Sequence, residues 1–337
     1  MLFRTIFNVT PHLTHLVIRH SHQALFHPCL SNLPILHMVH VVCLDQDEPA
    51  NVDVLRTLSS VESLEELSIA VGAIDRVDFC GFPALKKLNV SILSGPPHAM
   101  FDGFFSPRLR ELSLLNEHYG NSMDIDELLK MSTTLAKCFP AMTDLTLALP
   151  LSVREGGSAS LASALAPLFP LPLSNFSLYS QRALASPGLT DEFFSTLAQS
   201  WPHLLEFSVV IPRASDDDAL LSGTTAQSLL SLARGCPRLR TLQLPSMKSP
   251  QPEEIGGCAV LQHSLRTLNV DWLAVGRPAV DPGDEGPYRA CALLLDKLFP
   301  DLDTGGDLCG VTPTDAWKRV LYGVRMCQLG RSNRTPS

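Results

Sequence analysis

A short apolar phrase, L-x-x-L-x-L with Ile, Val, Met or Phe allowed at the apolar positions, occurs ten times along the chain. Successive copies begin 21 to 35 residues apart, from Leu13 to Leu265. The last two apolar positions of each copy alternate with polar residues, which is the period of a strand with one buried face. So short a strand cannot bury its apolar side alone, so neighbouring copies must pair in parallel and share one core.

The stretches between copies indicate a return segment in each repeat. Where the interval is long, Leu and Ala recur at helical spacing. This spacing predicts helices over residues 126–139, 158–169, 191–201 and 224–236. Asp191 and Thr224 are the expected N-caps, because their side-chain oxygens can accept from the first backbone N–H groups.

The phrase CPRLRTLQL, residues 236–244, joins such a helix to its strand. Cys236 is expected to end the helix and Pro237 to begin an extended approach to the strand, because Pro cannot continue a helix. The insertions at residues 115–126 and 211–223 are expected to form long loops at one rim.

These patterns predict an α/β fold, namely a leucine-rich-repeat solenoid in an irregular horseshoe arc. A parallel sheet would line its concave side, with helices and loops on the convex side. Residues 1–277 would form the solenoid of about ten repeats, and residues 278–337 a linker and a helical C-terminal cap. Two segments, 287–300 and 313–331, carry helix signals, including Pro in the first turn. The second has an apolar stripe of Trp317, Val320, Leu321 and Val324.

Composition excludes several classes of function. The chain of 337 residues is 45% apolar, so it can form a core, and its net charge of −8 comes without a Lys/Arg cluster. It is therefore a poor binder of nucleic acid, whose affinity comes mostly from such clusters. No apolar run is long enough to cross a membrane. The nine cysteines show no CxxC spacing and there is no secretory signal, which predicts a cytoplasmic or nuclear protein.

The first strand begins about a dozen residues from Met1. Little chain precedes it, and an uncovered edge strand promotes association. We therefore expect one of two arrangements: the chain begins inside a larger protein and can associate through this edge, or residues 1–9 fold over it as a minimal cap.

The concave face holds the candidate binding residues. In each copy, the two residues on either side of the second apolar residue of the L-x-x-L-x-L phrase should point out of the sheet. One interpretation is that they are the solvated outer side of any half-exposed sheet, and the other is a mildly acidic trough that holds a protein segment. From the third copy onward they are Glu66, Ser68, Lys87, Asn89, Glu111, Ser113, Asp144, Thr146, Asn175, Ser177, Glu206, Ser208, Thr241, Gln243, Thr267 and Asn269.

No motif predicts a catalytic residue, a metal site or a cofactor. His15 and His40 should face the concave side on adjacent strands, but no spacing enforces a zinc site, so surface or packing histidines are favoured. Residues 216–218 are three Asp without the Gly turn and bidentate Glu of a calcium loop. Residues 156–158 lack the Lys-Ser/Thr of a P-loop, and no G-x-S-x-G occurs.

The Pro-x-Leu-x-x-Leu-x-Leu phrases and PHLTHLVI at residues 11–18 resemble the leucine-rich regions of F-box-type proteins of mushroom-forming fungi. The C-terminal pair LLLDKLFP and AWKRVLYGVRMCQLGR is similar too, so the resemblance covers about residues 5–332. In that family an F-box grips the adaptor of a cullin-based ubiquitin ligase while the repeats present a target surface. No F-box-like Leu-Pro-x-Glu run precedes the repeats here, so the resemblance implies the target surface and not adaptor binding.

The leading interpretation is a non-catalytic scaffold for protein recognition, which the resemblance would make the substrate-reading part of an F-box-like ubiquitin ligase system. The partner would be a protein, neither nucleic acid nor membrane. A second interpretation is a truncated or decayed repeat array with no dedicated partner. A hydrolase is a distant third, and it would need a concave pocket that joins a Ser or Cys, a His and a carboxylate.

Overall fold

The computed structural model describes residues 10, 12–18, 33, 35–41, 52–72, 81–101, 104–116, 122–152, 160–184, 188–212, 224–256, 260–274, 285–305 and 314–333. Contacts divide the chain into two compact units. The first is Met1–Ala159 with Ser163–Leu173, and the second is Ser160–Ala162 with Ser174–Ser337. The predicted boundary at residue 277 falls outside the described residues, so it stays a prediction.

Six strands of the first unit pair in parallel, in the order of the chain, and each starts level with its neighbour. They are β1 (His15–Ile18), β2 (Met38–Val41), β3 (Glu66–Val71), β4 (Lys87–Ile92), β5 (Glu111–Asn116) and β7 (Asp144–Leu149). Two short strands, β6 (Met123–Asp124) and β8 (Leu151–Ser152), pair separately.

The second unit repeats the arrangement with four parallel strands. They are β9 (Asn175–Ser180), β10 (Glu206–Val210), β11 (Thr241–Leu244) and β13 (Thr267–Val270). Here too a short pair, β12 (Met247–Lys248) and β14 (Leu273–Ala274), follows the main strands. Each unit thus has the architecture of a leucine-rich-repeat solenoid, and the predicted strands are confirmed.

Helices return the chain between strands. They are α1 (Val52–Ser59), α2 (Pro97–Phe101), α3 (Ile125–Cys138), α4 (Leu161–Leu165), α5 (Asp191–Ser200), α6 (Ala226–Gly235), α7 (Pro252–Gly256), α8 (Gly286–Leu298) and α9 (Asp315–Ser332). The predicted helices α3, α5, α6, α8 and α9 are confirmed to within two residues. The helix predicted over residues 158–169 is shorter, since α4 gives way to a 3-10 turn at Ala166–Leu168.

The strand apolars form a buried, mainly aliphatic layer. Leu67, Leu88, Leu112 and Leu145 are each no more than 2% exposed. Beneath this layer, aromatic rings pack helix against strand. Phe194 of α5 meets Phe207 of β10 edge-on at 5.9 Å between ring centroids. Although only 7% of the residues are aromatic, the core is therefore not purely aliphatic.

Two predicted N-caps are wrong by one residue. The caps are Thr190, whose hydroxyl accepts from the Phe193 N–H, and Thr225, whose hydroxyl accepts from the Gln227 N–H. Both caps have extended backbone, which lets the hydroxyl turn back onto the first helical turn. Asp191 is the first residue of α5 instead.

Asp191 links two helices of the second unit. Its carboxylate accepts hydrogen bonds from the Thr225 hydroxyl at 2.8 and 2.9 Å and from the Ser228 hydroxyl. Because Thr225 caps α6 while Asp191 begins α5, this network ties the starts of neighbouring return helices together.

In four repeat or cap segments, the residue before Pro ends a helix, as predicted. Phe139, Trp201, Cys236 and Phe299 all have φ between −119° and −132° and ψ between 63° and 69°. The extended approach predicted for Pro237 is wrong, because the chain turns there: the Leu239 N–H donates to the Cys236 carbonyl at 3.0 Å. Pro suits the second position of such a turn, which its fixed φ preorganises.

The tenth repeat lacks a Cys-Pro or aromatic-Pro pair, and His263 takes its place. Its Nδ1 accepts from the Leu265 N–H at 3.0 Å, so Nε2 carries the proton and donates to the Cys236 carbonyl at 2.9 Å. Burial lowers the pKa of His263. The buried ring is thus a neutral connector between the ninth and tenth repeats.

The predicted rim loop over residues 115–126 is wrong at both ends, and residues 117–121 lie outside the described residues. Leu115 and Asn116 extend β5, Met123–Asp124 is β6, and Ile125 begins α3. Residues 213–223 of the other insertion lie outside the described residues, as do residues 1–9, 156–158 and 216–218. Association through the N-terminal edge strand therefore stays a prediction.

Two glycines of α9 give a paired test of how the terminal helices pack. A Cβ at Gly323 would lie 2.7 Å from the Ala292 Cβ of α8, whereas a Cβ at Gly330 would meet nothing within 4 Å. We expect Gly323→Ala to lower the free energy of unfolding by about 1–3 kcal/mol through overpacking. Gly330→Ala should raise it by up to about 1 kcal/mol through helix propensity.

Urea unfolding followed by circular dichroism measures both changes against the unmodified chain. A Gly323→Ala variant as stable as Gly330→Ala would show that α8 and α9 do not pack at this distance.

Candidate functional site

The register of the first unit aligns the predicted residues in rows that run across the strands. Over β3, β4, β5 and β7, row one contains Glu66, Lys87, Glu111 and Asp144. Row two contains Ser68, Asn89, Ser113 and Thr146. A third row, not predicted, contains Ala70, Ser91, Leu115 and Ala148. We call these outward rows, with those of the second unit, the strand face.

Row one of the first unit is acidic but partly neutralised. The Lys87 ammonium lies 2.7 Å from the Glu111 carboxylate. Its pKa is raised first by that hydrogen bond, and then by the charges of Glu111, Glu66 and Asp144. Both members of the pair are about half exposed, so the ion pair contributes little to stability. What remains is a row of three carboxylates and one ammonium.

The first-unit strand face changes character along the strands. Charged groups occupy row one, small hydroxyl and amide groups row two, and mostly apolar groups row three. All except exposed Glu111 are half-buried. An extended segment lying across the strands could therefore place basic side chains at one edge and apolar side chains at the other.

The second unit carries the other eight predicted residues in two rows. Row one contains Asn175, Glu206, Thr241 and Thr267. Row two contains Ser177, Ser208, Gln243 and Asn269. In row three, Tyr179 lies level with Val210. This face carries one carboxylate in row one, whereas the first unit carries three there.

Row two of the second unit ends in a hydrogen-bonded chain of polar side chains. The Ser208 hydroxyl donates to Gln243 Oε1 at 3.0 Å, and Gln243 Nε2 donates to Asp271 Oδ1 at 3.5 Å. Asn269 Nδ2 donates to the same Oδ1 at 3.5 Å. Ser208 and Asn269 are buried, at 2% and 5% exposure. The chain connects three neighbouring strands to one carboxylate.

Asp271 was missed by the sequence analysis, which ended each strand at its third apolar residue. The signal was present, because Thr267, Asn269 and Asp271 continue the outward period of two beyond β13. Burial raises the pKa of Asp271 to about 6, and the Gln243 hydrogen bond only partly opposes this. A strongly perturbed carboxyl among convergent polar groups is a feature of functional sites.

The histidines lie where they were predicted. His15 is level with Met38, and His40 is level with Val17 on the next strand, so the two exposed rings are diagonal. His15 Nδ1 lies 2.8 Å from the Thr14 hydroxyl. Within the described ranges, no group of three His, Cys, Asp or Glu could hold a metal ion.

Two clefts lie among the helices and loops. One, of about 380 Å³, is lined by Asn116, Ser122 and Glu127 among others. The other, of about 560 Å³, lies between α8 and α9, with Leu293 and Tyr322 in its walls. Neither includes a histidine, so neither supplies the trio that a hydrolase would need.

Among the described helices, none combines the length and apolar character needed to span a bilayer.

Two solved structures are similar over most of the chain. A chain of the yeast Rad7–Elc1 complex is 15% identical, with 93% of this chain and 74% of that one covered and a TM-score of 0.46. A protein from Bacteroides fragilis is 13% identical, with 83% and 71% covered and a TM-score of 0.35. No family model and no curated protein matches the chain. Similarity at this level identifies neither partner nor activity.

Asp271→Asn should stabilise the protein at neutral pH. The folded-state pKa is raised from 3.8 to about 6, so burial of the charged form opposes folding, and this penalty grows as the pH rises from about 4 through 6. After allowance for partial exposure, we expect a gain of about 1–2 kcal/mol at pH 7.5 and almost none at pH 4.

Urea unfolding at the two pH values measures this difference. Asp301→Asn, at an exposed position, is the matched control and should change stability little at either pH. An Asp271→Asn variant less stable than the unmodified chain at pH 7.5 would contradict a desolvated carboxylate.

Proposed function

We propose that the chain is a non-catalytic scaffold that binds a protein segment on its strand face. The graded first-unit face is the observation that supports this most, because it combines charged, hydrogen-bonding and apolar rows at strand spacing. Such a surface complements a polypeptide better than a compact small molecule, which needs a concave, mostly apolar pocket.

The chemistry of row one favours a basic or neutral segment over an acidic one. Glu66, Glu111 and Asp144 outnumber Lys87, and complementary charge speeds encounter and suppresses wrong partners. The same row would repel the phosphate backbone of nucleic acid.

A finer proposal concerns the assembly in which this scaffold works. The repeat phrases and the C-terminal pair that resemble fungal F-box-type proteins support a substrate-reading role in an F-box-like ubiquitin ligase system. The cytoplasmic or nuclear compartment predicted from cysteine usage is compatible with that role.

Charge reversal in row one tests the binding face. Proteins captured from native extract are identified first with the unmodified chain, and capture is then repeated with Glu66, Glu111 and Asp144 replaced by Lys. We expect at least a tenfold loss near 0.1 M salt and a smaller one near 1 M, where screening shortens the reach of charges to about 3 Å.

The matched control carries the same charge change at exposed positions off the strand face, with Glu62, Glu192 and Asp301 replaced by Lys. It should capture as the unmodified chain does. Equal capture by both variants at both salt concentrations would overturn the proposed face. A chain that captures no protein at all would favour the decayed-array interpretation.

A further inference from the structure

Strand β13 of the second unit leaves a buried hydrogen-bond acceptor unfilled. Asn269 is 5% exposed, and its Oδ1 has no hydrogen-bond partner within the part of the chain that the structure describes. The amide cannot simply be turned over, because Nδ2 donates to Asp271 Oδ1 and an oxygen there would face a carboxylate. A buried acceptor without a donor costs about 1–3 kcal/mol and calls for an occupant.

The neighbouring carboxylate is also incompletely satisfied. Its Oδ1 is shared by two amide donors, from Gln243 and Asn269, each at the 3.5 Å limit of a hydrogen bond. For Asp271 Oδ2, no donor is found among the described residues. The two contacting side chains are neutral, so burial is uncompensated by a cation. Each of these two neighbouring side chains thus has one oxygen with no donor among the described residues.

We propose that Asn269 and Asp271, supported by Ser208 and Gln243, form a subsite for an arginine side chain of the bound protein segment. The inference rests on the proposed function and specifies one residue of the ligand. It also extends the strand face of the second unit one position beyond the predicted residues, to Asp271.

Arginine fits these acceptors better than other donors. A guanidinium presents five N–H groups in a planar fork, so one group can reach a carboxylate and an adjacent amide oxygen together. It is more weakly hydrated than the lysine ammonium, so it loses less on entering a half-buried site. A neutral amide could fill one acceptor but would leave the desolvated charge uncompensated.

The polar chain fixes the orientation of the Gln243 amide in the subsite. Ser208 holds the Gln243 amide in one orientation, since it donates to Oε1 and leaves Nε2 for Asp271. Asn269 Oδ1 is shielded from solvent. The guanidinium therefore reaches it only when the Asn269 side chain rotates outward. A trapped water is the competing occupant, and it needs no such rotation.

Three model compounds distinguish these occupants on the full chain. N-acetyl-arginine-N-methylamide carries the guanidinium, the lysine analogue carries an ammonium, and the citrulline analogue has nearly the same shape without charge. Their affinities are measured by calorimetry at pH 7.5, and the side-chain amide resonances of Asn269 and Gln243 are followed by NMR.

We expect the arginine compound to bind at least tenfold more tightly than the citrulline compound and more tightly than the lysine compound. It should also move the Asn269 amide resonance. Asp271→Asn should weaken it about tenfold, as expected for loss of one charge-assisted hydrogen bond. Asp301→Asn should bind as the unmodified chain does. The pKa of Asp271 should fall when the arginine compound is bound, an effect that general destabilisation would not cause.

Equal binding of the arginine and citrulline compounds, or equal binding by the unmodified chain and Asp271→Asn, would overturn the subsite and favour water as its occupant. The proposed function has its own test in the row-one reversal. If the row-one variant loses capture but the arginine compound does not bind, the subsite proposal is refuted and the proposed scaffold function is still supported.

Discussion

A shared carbonyl at the start of each strand is the contact on which the rest of the fold depends. The N–H groups of Lys86 and Lys87 both donate to the Glu65 carbonyl, at 2.7 and 3.0 Å. The same arrangement recurs at the carbonyls of His37, Lys86, Arg110, Ser174, Leu205 and Arg240. Because one carbonyl accepts from two consecutive residues of the next repeat, each strand must begin level with the previous one. A slip of one residue would turn every buried leucine outward.

Zero offset between strands also creates the candidate site. Equivalent residues of successive repeats lie side by side on adjacent strands. A position that varies among the copies therefore becomes a row of different side chains. Apolar positions cannot vary freely, since Leu88 and its neighbours are packed in the core. Outward positions can vary, because they are not packed in the core. Glu66, Lys87 and Glu111 therefore lie next to one another as a row of alternating charge. Stability and the proposed recognition thus depend on alternate residues of the same strands.

Periodicity predicted the strands and the longer helices because the apolar residues of each element recur at the spacing that places them in the core. The predictions were wrong where the geometry depends on which of two adjacent residues makes a local hydrogen bond or turn. Thr190 caps α5 in place of Asp191, and a turn replaces the expected extension at Pro237. Asp271 was missed for a different reason: its role depends on Gln243 and Asn269, whose proximity follows from pairing across strands and is invisible in any single repeat.

Two aspartates of the second unit show how surroundings separate a structural carboxylate from a candidate binding group. Asp191 accepts hydroxyl hydrogen bonds from Thr225 and Ser228, with distances of 2.8 and 2.9 Å to Thr225, so its own helices supply what its charge needs. Asp271 has two donors at 3.5 Å and lies beside the unfilled oxygen of Asn269. Folding alone would favour an apolar or neutral residue there, since a desolvated charge opposes it. A carboxylate at the outward position just after β13 therefore makes physical sense as one half of the proposed interaction, whose other half would arrive with the partner.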